Sequence, residues 1–348
     1  MFYVTKVFYP VGQGGFYSER IISGEEERVF VYDCGSIGKK SSNNPTQELV
    51  NCICNSGLTK VDYLVISHLD EDHINGIPEL EKYLINDIHV NPSDLPLVII
   101  PQPTLIDMIL FFERCSQKVI SWFLKARAKK RVLYINDEMP INSERNEQNE
   151  IPLNRSLANQ SLSHQIAFLP IDKNPCWKFK FYVKLKNYNG CLTQSDEMLI
   201  QKVQTIDDFE QNKGALKGIY KRVRYGMNGS SMSMASFPLI QNENNAYATW
   251  LNGDAQFKTE KNLKLVEKHF SCLKKLNVDF QVPHHGSYRN LCRLPKNVAG
   301  LRTFVWAGFD NQYGHPSGTI LNMMKYYSRK YYFITEKNKP IVLHAFWR

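Results

Sequence analysis

The sequence predicts an α/β fold built from two β-sheets with helices on their outer faces. Three observations carry this. Short apolar runs at Val61–Ile66, Ala246–Leu251, Val278–Val282 and Thr303–Ala307 have the length and composition of buried strands. Longer segments with helical apolar spacing, such as Lys261–Leu276 and Gly318–Lys330, lie between or after them. Each strand-like run also leads into a Gly- or Pro-marked turn rich in His, Asp or Asn, so one sheet edge is expected to gather polar chemistry.

Taken in order, residues 1 to about 35 read as strands joined by the Gly12–Gly15 turn and a charged hairpin near Gly24. Thr46–Ser56 reads as a helix, Ile77–Leu84 as a short helix, and Leu97–Ile100 as a strand ending at Pro101. Thr104–Ala128 has helical apolar spacing through Ile106, Leu110, Phe111, Ile120, Phe123 and Leu124. The stretch from Asn136 to Gln165 is rich in Asn, Ser, Glu and Gln and is expected to be a mobile loop. Trp177–Val183 alternates as a strand does, and Asn189-Gly190 is a hairpin turn signal. Met232–Phe237 joins Ala246–Leu251, Val278–Val282 and Thr303–Ala307 in the expected second sheet.

The densest chemistry is Ser67-His68-Leu69-Asp70-Glu71-Asp72-His73, just past the Val61–Ile66 run. His nitrogen and carboxylate oxygen both suit divalent cations. Carboxylates crowded at a strand end repel one another unless a cation sits among them, so a metal centre is the simplest physical account. Asn252-Gly253-Asp254, Pro283-His284-His285-Gly286-Ser287 and Gly314-His315-Pro316 follow later strand-like runs and add ligand types. Five of the nine His fall in these motifs. His89, His164, His269 and His344 stand apart and read as ordinary surface or core residues.

These motifs resemble the metallo-β-lactamase-fold hydrolases, and most closely the hydrolase domain of ComEC, the DNA-uptake channel of competent bacteria, and its free-standing relatives. Val11-Gly12-Gln13-Gly14-Gly15 is similar to that family's opening loop, and Tyr32-Asp33-Cys34-Gly35-Ser36 to its Asp-bearing strand end. Ser67 to Asn75 is similar to its S-H-x-D-x-D-H segment, and Asn228 to Ser231 to its N-x-x-S segment. Gly253-Asp254, His284 to Ser287 and Gly314 to Pro316 complete the ordered set across most of the chain. Gly15 stands where the family often has Asp, and the interval from His73 to Asn228 is longer than the family's.

The resemblance implies an αββα sandwich spanning residues 1–348 as one domain, with residues 104–225 as an insertion. It implies two divalent cations, zinc or manganese. His68 and Asp70 would serve the first, Asp72, His73 and His284 the second, and Asp254 would bridge them. A hydroxide between two cations is a nucleophile at neutral pH, and the same cations stabilise charge on a phosphoryl group. Asp72 thereby takes a catalytic as well as a ligating role. His285 and His315 would orient substrate or protonate the leaving group, or else fix a ligating His by a hydrogen bond. Asn228 and Ser231 would donate to a phosphate oxygen, or form a satisfied polar turn. Asp33 would support the metal loop from behind. Many relatives have His where Asp70 stands, and the added oxygen leans the first site toward manganese or weak occupancy.

Composition bounds the rest. The chain is long enough for a sizeable core, and no apolar run reaches the ~18–20 residues of a membrane span. The eight Cys form no C-x-x-C pair, and no signal peptide is recognisable, so reduced thiols and a cytoplasmic location are expected. The net charge is +9 and the pI about 9.0, the footprint either of a polyanion partner or of an ordinary basic protein. Two clusters favour nucleic acid: Lys125, Arg127, Lys129, Lys130 and Arg131, then Lys217, Lys221, Arg222 and Arg224. Arg222 and Arg224 lead toward Asn228 and Ser231 and are expected to bind substrate, with Tyr220 and Tyr225 available for stacking. The expected activity is metal-dependent hydrolysis of phosphodiester bonds, with DNA or RNA as substrate. A small-molecule phosphodiesterase, and a metal-binding subunit of a defence-type complex with a protein partner on the insertion, are the alternatives.

Overall fold

The computed structural model describes residues 2–38, 45–136, 151–152, 161–163, 166–171, 174–184, 192–223, 231–238, 246–296 and 298–347. β1 (Phe2–Phe8), β2 (Gln13–Ser23) and β3 (Glu26–Ile37) run as an antiparallel meander. After α1 (Gln47–Cys54), β4 (Tyr63–Val65) pairs parallel with β3. α2 (Glu71–Ile74) and α3 (Ile77–Asn86) precede β5 (Leu97–Pro101); α4 (Leu105–Arg114) and α5 (Gln117–Ala128) precede β6 (Val132–Asn136). Next come β7 (Ile151–Pro152), β8 (Ser161–Ser163), β9 (Ile166–Ile171), β10 (Asn174–Lys184), α6 (Gln194–Lys202) and α7 (Ile206–Val223). β11 (Ser231–Pro238), β12 (Tyr247–Leu251), α8 (Glu260–His269), β13 (Asn277–Gln281) and β14 (Gly300–Trp306) follow. α9 (Gly318–Tyr327), β15 (Lys330–Ile334) and β16 (Ile341–Trp347) finish the order.

Among the described residues the strands form two sheets. The first runs β16-β1-β2-β3-β4-β5-β6-β8 and the second β15-β14-β13-β12-β11-β10-β9-β7. The four strands expected in the second sheet are neighbours there. The sheets face each other through stacked aromatics, with Phe8 against Phe304 at 3.9 Å and Phe30 against Phe179 at 4.0 Å between ring centroids. α1, α3, α4 and α5 add Leu49, Leu80, Phe111 and Phe123 to the first sheet's side of the core. α8 and α9 cover the far face of the second sheet, setting Leu263, Val266, Ile320 and Met324 against Trp250, Val278 and Phe280. The layers are therefore αββα, as expected.

The helical spacing over Thr104–Ala128 is carried by two helices, because Cys115 is extended and Ser116 starts a new helix by accepting from the Val119 amide. Residues 104–225 contribute strands to both sheets: β6 pairs with β5 in the first, and β10 with β11 in the second. The hairpin signal at Asn189-Gly190, and most of the stretch from Asn136 to Gln165, lie outside the described residues.

In both sheets the polar motifs follow the C-terminal ends of parallel strands, as β3-β4-β5 and β12-β13-β14 are parallel runs. Ligands at such ends belong to the crevice where α/β sheets bind their substrates. No helix among the described residues is long and apolar enough to cross a membrane.

Candidate metal centre

The turn after β4 and the short helix α2 carry Ser67, His68, Asp70, Asp72 and His73. Two glycines let α2 lie against the first sheet. A Cβ on Gly35 would stand 2.5 Å from the Asp72 carbonyl, and one on Gly14 would meet the backbone of Gly35 and Asp72. Asn75 ties the end of α2 to β3, accepting from the Ser36 amide at 2.9 Å and donating to the Ser36 carbonyl at 2.6 Å.

Asp33 is the hub beneath this loop. Its carboxylate accepts from the Ser67 amide at 2.7 Å and the Ser67 hydroxyl at 2.8 Å, and lies 2.8 Å from His73 Nδ1. His68 Nδ1 faces the Ser67 hydroxyl at 3.0 Å, and His285 Nδ1 faces the Trp306 carbonyl at 3.0 Å. With Nδ1 held in this way on all three rings, each presents Nε2 to a common space.

Asp254 occupies that space. Its Oδ1 lies 3.3 Å from His73 Nε2 and 3.9 Å from His285 Nε2; its Oδ2 lies 3.7 Å from His68 Nε2 and 3.1 Å from His284 Nδ1. Asp72 Oδ2 is 3.0 Å from His285 Nε2 and 3.8 Å from His73 Nε2. Two groups within this arrangement can hold a cation: His68, His73 and Asp254, and Asp72, His73 and His285. The donor set fits divalent ions on a physical ground. His68 Nε2, His73 Nε2 and Asp254 Oδ1 are buried and make no hydrogen bond among the described residues. Orphaned buried polar atoms call for a partner.

The turn carrying Asp254 is built to aim it. Gln281 Oε1 accepts from the amides of Asn252 and Gly253, and the Asp254 amide donates to Ser231 Oγ at 3.1 Å. The chain then turns sharply at His284 and His285, whose φ angles of 48° and 52° lie in the left-handed region. That pair of turns decides which ring faces Asp72. The expectation placed His284 with Asp72 and His73. The structure places His285 there, and sets His284 against the other oxygen of Asp254 and within 3.3 Å of Asn290 Nδ2.

Other expected site residues fall as follows. Asp70 lies 3.5 Å from His68 Nε2 and shares its carboxylate with Arg114 of α4, also at 3.5 Å. His315 packs against His284 with ring centroids 5.8 Å apart, and its Nδ1 is buried without a hydrogen bond among the described residues. Of the two readings of Ser231, the structure places it nearer the satisfied polar turn: it is buried, and its hydroxyl braces the Asp254 turn. Arg222 is engaged by Asp196 at 2.6 Å, and Arg131 of the first basic cluster is buried against Glu81. Arg224 and Asn228 lie outside the described residues. Sequence reasoning assigned no role to Ser67, Gln281, Asn290 or Arg114. Ser67 stood inside the motif; Gln281 and Asn290 flank one, and nothing local marks Arg114.

Charge in the centre is strongly displaced. Burial alone would raise the Asp72 carboxyl, but the His73 and His285 rings outweigh it and hold it at about 2. Asp254 is likewise held well below the carboxylate range, burial being overcome by His284, His73 and His68. Burial would lower His73, yet Asp72, Asp33 and Asp254 raise it well above its ordinary value. His315 is pushed down to about 4 by burial and by the neighbouring His285 and His284.

A cation must displace the His73 proton. Affinity for a divalent ion is therefore expected to rise with pH through the neutral range, with proton release on binding. Calorimetry in buffers of different ionisation enthalpy checks this, and uptake without proton release near pH 7 would contradict it. In the metal-free chain the sign is opposite. The His73 proton stabilises fully below the ordinary His value, and that contribution is lost as pH rises through the raised one.

No protein-family model matches the sequence, and no curated protein matches it. Among solved structures, the chain is similar to a long form RNase Z from yeast at 9% identity and a TM-score of 0.36, over 80% of this chain and 32% of that one. It thus spans about a third of that relative's length. It is similar to unliganded yeast PDE1 at 10% identity and a TM-score of 0.46, over 95% of this chain and 97% of that one. An archaeal metallo-β-lactamase superfamily protein from Sulfolobus tokodaii is similar at 12% identity and a TM-score of 0.28, over 79% and 78% of the two chains.

Proposed function

We propose that the protein is a metal-dependent hydrolase of phosphodiester bonds, of the ComEC-like metallo-β-lactamase kind, acting on nucleic acid. The observation that carries this is the Asp254 carboxylate, one oxygen turned to His73 and His285 and the other to His68 and His284. A carboxylate so shared suits two cations, of zinc or manganese character, bridged by Asp254. When bound, such cations supply Lewis acidity and activate water at neutral pH. Asp72 completes one side through its contact with His285, and Asp70 stands at the other, tempered by Arg114.

His315 suits substrate orientation. Held near a pKa of about 4, its ring is neutral at pH 7 and has no spare proton for a leaving group, but it can still hydrogen-bond a substrate oxygen. Nucleic acid is favoured by the net charge of +9 and by the exposed Lys125, Lys129 and Lys130 at the end of α5. Residues 104–225 are proposed as the part that adapts the single catalytic unit to its substrate or to a protein partner.

The test is cleavage of labelled single- and double-stranded DNA, and of RNA, by protein supplied with Mn²⁺, Zn²⁺ or Mg²⁺. An Asp72→Ala, His73→Ala double variant runs beside it. Cleavage that needs metal, is lost in the variant and weakens steeply with salt supports the proposal. Hydrolysis of bis(p-nitrophenyl) phosphate without cleavage of any polynucleotide would move the substrate to small phosphodiesters. Failure on both, with metal shown to be bound, would overturn the reading.

A further inference from the structure

Beside the metal centre lies a cleft of about 320 Å³ whose lining includes Gln13, Glu48, Asp310, Asn311, Tyr313 and Glu336. Its volume is in the range of small-molecule sites, about 300–1,000 Å³. It adjoins the centre by two routes. Gln13 begins the strand on which Gly14 rests against the Asp72 backbone and Gly15 against His73. On the other wall, Tyr313 stacks on His315 at 6.2 Å and 19°, and His315 packs on His284. Asn311 locks this wall by accepting from the His315 amide at 2.9 Å.

The chemistry of the cleft differs from that of the centre. Three carboxylates and three side-chain amides line it, and one aromatic ring, 55% exposed, stands at its side. Gln13 is 6% exposed, and its Oε1 makes no hydrogen bond among the described residues. Acidic walls repel phosphate, so a phosphodiester is left to the metal side. They welcome a flat neutral group with N–H donors, and the exposed ring offers that group a face to stack on.

We propose that this cleft receives the nucleobase flanking the scissile phosphate and favours bases rich in N–H donors, guanine foremost. The proposal rests on the phosphodiesterase reading for its purpose, but it is tested without phosphate. Guanosine and uridine are titrated into the full chain by calorimetry and saturation-transfer NMR, with Tyr313→Ala and Glu48→Gln alongside. Both substituted residues are exposed, so the fold is retained, and melting curves check this.

The expected result is saturable guanosine binding, tighter than uridine. Tyr313→Ala weakens it about tenfold, the size of one lost base–aromatic stack. Glu48→Gln narrows the gap between the two nucleosides. Absence of saturable nucleoside binding overturns the proposal, as does equal binding by wild type and Tyr313→Ala. Displacement of guanosine by spermidine at equal concentration also overturns it, since the cleft would then be a cation site. Bis(p-nitrophenyl) phosphate hydrolysis by the metal-loaded wild type separates the two claims. Guanosine binding without hydrolysis leaves the base cleft standing and removes the phosphodiesterase.

Discussion

On the proposed function, Asp254→Ala is expected to abolish tight metal binding and to lower phosphodiester cleavage on the order of a thousandfold, as several kcal/mol of charge stabilisation are lost. The size follows from position. Four imidazole rings point at this one carboxylate from two sheets, and none has another anion that touches all of them. Without it, His68, His73, His284 and His285 face one another across a buried space, where any shared protons repel. Metal content by mass spectrometry and cleavage rate are the two readouts. A variant that keeps its full complement of metal would show that Asp254 is not the bridge. Circular dichroism separates that outcome from misfolding, because the turn around residue 254 is held through backbone amides by Gln281 and Ser231.

The largest stability effect is expected far from that centre. Lys6, 2% exposed on β1, donates to Asp279 of β13 at 3.2 Å, and Arg302 of β14 donates to the other oxygen of Asp279 at 2.6 Å. Glu19 lies in the same buried layer, accepting from Tyr17 and Ser236. Asp279→Ala leaves the Lys6 ammonium in the sandwich interior without its closest anion, and about 3–5 kcal/mol of stability should be lost. Urea denaturation measures this directly. Lys6→Met with Asp279→Ala should recover part of the loss, because the stranded charge goes too. A single-variant loss under about 1 kcal/mol would mean that Glu19 or water takes over the pairing.

Much of the architecture and the site could be read from the sequence because both rest on local pattern. Val61–Ile66 and Val278–Val282 announced buried strands, and the polar residues just past their ends are the ones that meet. What could not be read depends on non-local geometry. Whether His284 or His285 faces Asp72 is decided by two consecutive left-handed residues, which look like any His-His in a chain. Ser231 could be read either as a phosphate donor or as part of a satisfied turn, and the choice hangs on the Asp254 amide, 23 residues on in sequence and brought near by the pairing of β11 with β12. Lys6 sits in an alternating strand that any surface sheet would show. It is buried because β1 lies inside the first sheet, between β16 and β2, and faces the second.

The two charged clusters divide one interface between them. Asp279 and His284 are five residues apart on β13 and the turn that follows it, about 16 Å at strand rise. Each cluster takes groups from both sheets, so the sandwich is fastened at two points along its length. The inner clasp, Lys6 with Asp279, is buried between the sheets. In the outer clasp, rings from one sheet meet the Asp254 carboxylate of the other. If the proposed cations bind there, a chelator would loosen the fastening at the strand ends as well as stop the chemistry, and would leave the inner clasp in place.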